Sequence, residues 1–564
     1  MQFDYQFILV FLPAAIAGYW VLMRFLGRSG ALGWLLLASI GFYVYTSPKS
    51  LAIIAPSILS DYLIARWFFA TRPSDKRLRK FLVTVGITAN VVFLGYYKYA
   101  NFFLDTANTL FELKVPLTKL ILPLGISFLT FQKIAFLADI QSGQVKDVRL
   151  SNYLLFTLFF PRTVAGPIVR YAEIMPQFAE VKLRNIKTDL AVGLCLFSIG
   201  LVKKTVIADG VAPYVWGAFD PGWLSDYPPS MLTAWTGVLA YTFQLYFDFS
   251  GYSDIALGTA RMFGVRLPMN FNSPFKATSI VQFWTRWHIT LTRFLTSYVA
   301  NPIVLRLTRA RLRNGKPLLS GSSTTFSALA VLVGLPTLVT MTLSGLWHGA
   351  GWQFVAWGTL HGIYLTINQG WRMLRPRFWP HHVNYERVMK PVGFVLTFSA
   401  VVISLALFRA PSIASAWPLL KGMAGMNGAL PHYYQVLHNM GSNGSWQMIW
   451  QDLTPLKWIA LLFLITTVLP NSLELLRRFH PAVDFPLNRA MEEDGTGVSG
   501  GLNELVQKKT RSIGVSLLTK WVTFQQLGEK GLVFSHSSAV FMAILLILGL
   551  MALTHSTGFI YLEF

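Results

Sequence analysis

The sequence predicts an all-α polytopic membrane protein, and three observations carry that prediction. Of 564 residues, 53% are hydrophobic and only 13% are charged, against roughly a quarter charged in soluble domains. Mean hydropathy is +0.48. The apolar residues fall in successive runs long enough to cross or enter a bilayer. Aromatic residues make up 15%, including 18 Trp, which suits a protein with rings at two membrane interfaces.

Taken in order, the first run, Phe7 to Leu26, reads as a retained span. Met1-Gln2-Phe3-Asp4 ahead of it lacks the basic segment and small-residue cleavage site of a secretory signal. Runs near 31–46, 50–70 and 81–99 follow, with Arg72, Lys76, Arg77, Arg79 and Lys80 between the last two. The next runs, 115–138 and 151–168, are broken by Pro123-Leu124-Gly125 and by Phe160-Pro161-Arg162. Irregular backbone at membrane depth survives only inside protein or along a watery cavity, so these segments are candidates for the wall of an internal site. Runs 189–216 and 231–250 come next, the former holding the lone Cys195 as an inert buried thiol.

Residues 251–316 are more polar. Phe283, Trp287, Leu291 and Phe294 share one face at helical spacing, which predicts a short amphipathic or re-entrant helix with His288 at the edge of that face. Apolar runs resume at 325–346, 350–369 and 391–409. Residues 410–455 read as an extramembrane loop, and 456–470 as a span. A polar loop then leads to an amphipathic interfacial helix at 505–521 and a last span at 537–554. The total is about 10 to 13 membrane segments, some of them re-entrant. The domain division is a catalytic core over 1–420, a loop over 421–455, and C-terminal spans over 456–564. No internal repeat is evident.

The net charge of +23 sits in short loops such as the one carrying Arg306, Arg309, Arg311, Arg313 and Lys316. That placement points to cytoplasmic loops facing anionic lipid and away from nucleic acid. One cysteine excludes an internal disulfide and a thiolate metal centre. No metal-ligand spacing, Walker loop or dinucleotide fingerprint occurs, so neither a metal nor a permanently bound cofactor is expected.

Chemistry points to two histidines. His348 lies in Gly345-Leu346-Trp347-His348-Gly349-Ala350-Gly351, inside an apolar stretch. An ionisable group at that depth is costly and marks function by default, although a packing histidine bonded to a carbonyl is the plain alternative. A neutral imidazole accepts protons at physiological pH and suits a general base. His288, in Trp284-Thr285-Arg286-Trp287-His288, is read as a positioning or oxyanion residue, or else as an interfacial histidine among aromatics. Arg286 and Arg293 beside it suit an anion or a lipid headgroup. Asp248, in Phe247-Asp248-Phe249-Ser250-Gly251-Tyr252-Ser253-Asp254, is a helix cap, a partner for an arginine, or the lock on an imidazole tautomer. Asn270 and Asn272, in Asn270-Phe271-Asn272-Ser273-Pro274-Phe275, sit in a rigid polar loop. Trp287 and Trp347 complete the candidate substrate-binding set.

In this order, those motifs resemble the membrane-bound O-acyltransferase family, in particular the bacterial polysaccharide acetylases typified by the alginate O-acetyltransferase membrane subunit. Pro123-Leu124-Gly125-Ile126-Ser127-Phe128 and Phe160-Pro161-Arg162 through Gly166-Pro167 are similar to the same branch, and the resemblance covers roughly residues 5–420. It implies a helical bundle with a central funnel or tunnel, and His348 at its centre as general base with His288 assisting. It implies acyl transfer, most simply of acetyl, from a thioester donor such as acetyl-CoA to a hydroxyl during O-acetylation of an exopolysaccharide. It further implies a bacterial inner-membrane location, with periplasmic carrier or acetyltransferase partners. The tail over 477–564 departs from shorter members, and its extra interfacial helix and last span are expected to dock a partner. The competing expectation is a transporter or flippase for a polysaccharide or lipid-linked sugar, which would explain the spans without acyl chemistry.

Overall fold

A computed structural model describes residues 4–163, 165–219, 228–320, 324–379, 382–430, 445–483, 535–555 and 558–560. Within them all regular structure is helical. Helices α1 (Phe7–Phe25), α2 (Gly27–Thr46), α3 (Pro48–Ala70) and α4 (Lys76–Phe111) pack in sequence. Their starts follow local rules: Pro48 occupies the first turn of α3, where its missing N–H is harmless. The Asp75 carboxylate accepts from the Leu78 N–H ahead of α4.

An irregular stretch leads to α5 (Ile126–Gln141) and α6 (Leu150–Leu158), which face α2 to α4, and then to α7 (Tyr171–Glu180). Gly125 is left-handed at φ 71°, and Phe160–Arg162 forms a single tight turn, so both expected breaks are present. Helix α8 (Leu183–Val211) and the short α9 (Pro213–Phe219) precede the central helix α10 (Met231–Met262).

Every residue of α10 from Ala240 to Met262 is buried. The expected boundary near 250 is therefore absent: the polar residues that suggested it are partnered inside the bundle. Asp254 pairs with Lys203 at 2.6 Å, and Asp189 of α8 pairs with Arg261 at 2.9 Å. Glycines let α8 and α10 meet backbone to backbone. A Cβ on Gly258 would lie 2.5 Å from the Gly193 carbonyl oxygen, and one on Gly200 2.6 Å from that of Gly251.

The amphipathic segment is not one helix. It divides into α11 (Ile280–Trp284) and α12 (Ile289–Leu295), with His288 left-handed between them at φ 44°. The chain then runs through a wider turn into α13 (Asn301–Arg313). Helices α14 (Phe326–His348) and α15 (Trp352–Phe378) form a close antiparallel pair. They are followed by α16 (Val383–Arg409), α17 (Ile413–Met423), α18 (Ser445–Val468), α19 (Ser472–Leu475) and α20 (His536–Ala552).

One C-terminal expectation changes. The supposed loop over 410–455 contains α17, started by reciprocal Ser412–Ser415 bonds and packed on α10, and the beginning of α18. The last span packs within the chain: a Cβ on its Gly549 would lie 2.9 Å from Leu201 of α8. The predicted interfacial helix at 505–521 lies outside the described residues.

Among the described residues, seven helices, α1, α2, α3, α4, α8, α14 and α16, are long and apolar enough to cross a membrane by length and composition. Two shorter apolar helices, Thr454–Val468 and α20, add to them.

The α14–α15 contact is tight enough to test. A Cβ on Gly358 would lie 2.3 Å from the Met341 carbonyl oxygen and 2.9 Å from the Gly345 Cα. Backbone cannot yield there as a flexible side chain would. Gly358→Val is expected to destabilise the protein by about 1–3 kcal/mol, seen as a lowered melting temperature in detergent. Unchanged melting would contradict this packing.

Candidate functional site

The site forms where three breaks in helical structure meet. Helix α14 ends on His348, and the chain turns back through extended glycines 349 and 351 into α15. The α11–α12 break carries His288. The loop at 270–272 lies alongside, bonded to that break: Asn272 N–H donates to Arg286 C=O at 2.9 Å, and Ile289 N–H to Asn270 C=O at 3.0 Å. These bonds hold His288 in a left-handed conformation that costs a non-glycine residue about 1–3 kcal/mol.

The two imidazole rings are 6.4 Å apart, centre to centre. His288 is fully buried, with the Phe249 ring edge-on at 4.8 Å and Trp347 at 5.9 Å. Its tautomer follows from its partner. Asn270 Oδ1 receives the Thr290 N–H at 3.4 Å and the Thr290 hydroxyl at 2.9 Å. Backbone N–H can only donate, so this atom is the amide oxygen. His288 Nδ1, 3.1 Å from the same oxygen, is therefore the protonated nitrogen. In the neutral ring the lone pair then belongs to Nε2. Asn270 Nδ2 donates to Ser253 Oγ at 3.3 Å, completing the brace from α10.

His348 borders an apolar pocket together with Trp287, Trp357, His361, Ser404 and Phe408. Trp357 meets the His348 ring edge-on at 5.2 Å and Phe408 at 5.3 Å. A second, more polar pocket lies beside Asn270, bounded by Tyr246, Ser253, Asp254 and Asn471. Tyr246 and Phe271, at 6.2 Å and 5.1 Å from Trp287, connect the walls of the two spaces.

No motif in the sequence singles out His361. It stands in the cavity wall in a defined bonding chain: the Trp284 indole donates to its Nδ1 at 3.3 Å, and its Nε2 lies 2.8 Å from Ser404 Oγ. Ser404 Oγ donates to the Val401 carbonyl at 2.7 Å, so His361 Nε2 is the donor to Ser404. His361 and His288 thus carry opposite tautomers. The available signal was its place one turn after Trp357 on α15.

Of the residues singled out from sequence, His348, Trp287, His288, Trp347 and Asn270 are brought together. Trp347 stacks on Phe131 at 5.3 Å behind the two histidines. Asn272 braces the loop from its edge: its Oδ1 accepts from Asn471 Nδ2 at 3.1 Å, and its carbonyl accepts from Arg286 at 3.2 Å. Arg293 is engaged by Glu173 at 2.9 Å.

Asp248 sits mid-helix, so it is no cap, and its partner is neither an imidazole nor an arginine. Lys204 approaches it at 2.7 Å, and the Ile560 N–H donates to it at 3.1 Å. The neighbouring residue, Phe249, makes the His288 contact. Lys204 also pairs with Asp209 at 2.9 Å. Removing this lysine leaves buried carboxylates without their counter-charge. Lys204→Met is expected to lose about 3–5 kcal/mol of stability, read by thermal unfolding, with part of it regained in the Lys204→Met/Asp248→Asn double variant.

Known proteins add to this geometry. The family model described as MBOAT, membrane-bound O-acyltransferase family, matches residues 81–332. A peptidoglycan O-acetyltransferase of Helicobacter pylori is 34% identical over 502 residues, 83% of this chain and 89% of that protein. A protein named probable alginate O-acetylase AlgI, from Azotobacter vinelandii, is 36% identical over 395 residues, 69% of this chain and 72% of its own length. A teichoic acid D-alanyltransferase of Streptococcus thermophilus is 29% identical over 301 residues, 50% of this chain and 68% of its own. With 34% identity sustained over 89% of an O-acetylating enzyme, the chain belongs to the membrane-bound O-acyltransferase family and is an O-acyltransferase.

Proposed function

We propose that the protein transfers an acetyl group from a thioester donor such as acetyl-CoA to a hydroxyl of a cell-surface glycan, with His348 as general base. The observation that carries this reading is the position of His348: its ring borders an apolar pocket and lies 6.4 Å from a second imidazole of fixed tautomer. The names of the relatives support acetyl as the group and a polysaccharide or peptidoglycan as acceptor class. An inner-membrane location and periplasmic carrier or acetyltransferase partners complete the proposal. The transporter alternative gives way to the family's acyl chemistry.

The reaction needs the acceptor oxygen to lose its proton as it attacks the thioester carbonyl carbon. His348 takes that proton. The new C–O bond forms a tetrahedral intermediate, its collapse breaks the C–S bond, and the proton leaves with the thiolate. Trp287, Trp357 and Phe408 line the space with carbon. Such a lining keeps out water that would hydrolyse the donor. With its proton on Nδ1, a neutral His288 presents a lone pair, which supports accepting a bond from the substrate hydroxyl over stabilising an oxyanion.

His348→Ala should reduce acetyl transfer by at least about a hundredfold, assayed as thiol release from acetyl-CoA by the purified, folded variant. Near-normal transfer would refute the role. Asn270→Ala removes the acceptor that orients His288 and is expected to lower kcat by about tenfold to a hundredfold, corresponding to about 1–3 kcal/mol for an abandoned buried partner. A kcat equal to that of the unaltered enzyme would rule out the brace.

A further inference from the structure

Helix α4 contains one irregular turn, Gly95–Tyr99, wound wider than the α-helix around it. Wide turns of this kind insert a residue, re-aim the side chains beside it, and recur at functional sites. Here the turn sends Lys98 and Tyr99 toward the end of α14. Lys98 Nζ donates to the Trp347 carbonyl at 2.5 Å and lies 3.4 Å from both the His348 carbonyl and Ser127 Oγ. The Tyr99 hydroxyl donates to the Leu346 carbonyl at 2.9 Å.

These three carbonyls belong to the last turn of α14, where intrahelical donors run out. Many helices close that turn with a left-handed glycine. Gly349 is extended instead, at φ −163°. The closure comes from another helix, and the closing group is a cation at the negative end of the helix dipole. Among the described residues no carboxylate pairs with Lys98.

We propose that Lys98, assisted by Tyr99, is a positioning residue for catalysis: it clamps the end of α14 so that the His348 ring faces the cavity. The proposal rests on the reading of His348 as the base. A misplacement of about 1 Å in a reacting group can cost a hundredfold in rate without weakening substrate binding. The clamp should therefore act on kcat and leave KM alone.

The test uses the purified full-length chain and acetyl-CoA thiol release. Lys98→Met should lower kcat at least about tenfold with KM for acetyl-CoA within about twofold, and Lys98→Arg should recover most of the loss. Tyr99→Phe removes one hydroxyl and should give a smaller kcat loss with unchanged melting temperature, which keeps the proposal open to refutation if Lys98→Met fails to fold. Wild-type kcat in Lys98→Met, or in Tyr99→Phe when Lys98→Met is unfolded, overturns the clamp. A loss confined to KM also overturns it. His348→Ala in the same assay separates the two ideas. If it is inactive while Lys98→Met is fully active, the clamp alone fails. If it is active, the assignment of the base fails.

Discussion

Backbone that leaves a helix inside a bilayer must find its hydrogen-bond partners within the protein, because lipid offers none. That constraint organises this molecule. The α11–α12 break, the loop at 270–272 and the end of α14 are all places where helical bonding stops. Each is satisfied by another irregular segment or by a side chain from a distant helix: Asn272 N–H by Arg286 C=O, Ile289 N–H by Asn270 C=O, and the Trp347 carbonyl by Lys98. The interruptions must therefore gather in one place. Both histidines are carried on them, so the requirement to satisfy the backbone also sets the distance between the two rings.

The site combines stiffness with an apolar interior. The asparagine oxygen that orients His288 is itself held by Thr290 and by the link to Ser253 on α10. His361 is held at both nitrogens, by Trp284 and Ser404. Around them the rings pack edge to face, as between His348 and Trp357, an arrangement that fills space with favourable quadrupole contacts. The result is an apolar space lined by a few oriented polar groups, a surrounding that keeps a buried imidazole neutral and able to accept a proton.

Much of this was legible in the sequence. Apolar runs gave the class of fold, Pro and Gly in 123–125 and 160–167 marked real interruptions, and Trp-His contexts marked His288 and His348. What escaped was set by partners far along the chain. Asp248, Asp254 and Arg261 look too polar for a helix interior until Lys204, Lys203 and Asp189 of the preceding helix neutralise them. The break at His288 has no glycine to announce it, because long-range bonds impose its left-handed backbone. His361 gains its meaning from Ser404, 43 residues onward, and Lys98 from Trp347, 249 residues onward. Neither pairing leaves a local trace.

The short segment at 558–560 carries a consequence for biogenesis. Ile560 reaches the Asp248 carboxylate across 312 residues of sequence, and the Gly558 carbonyl accepts from Lys204 at 3.0 Å. The charged knot at the centre of the bundle thus stays incomplete until residues 558–560 have been made. While the ribosome is still adding the C-terminal helices, the central helix holds an acid whose last donor has yet to be made. Completion of the interior is thereby tied to the making of residues 558–560, and a nascent chain halted before this segment would hold an unfinished core.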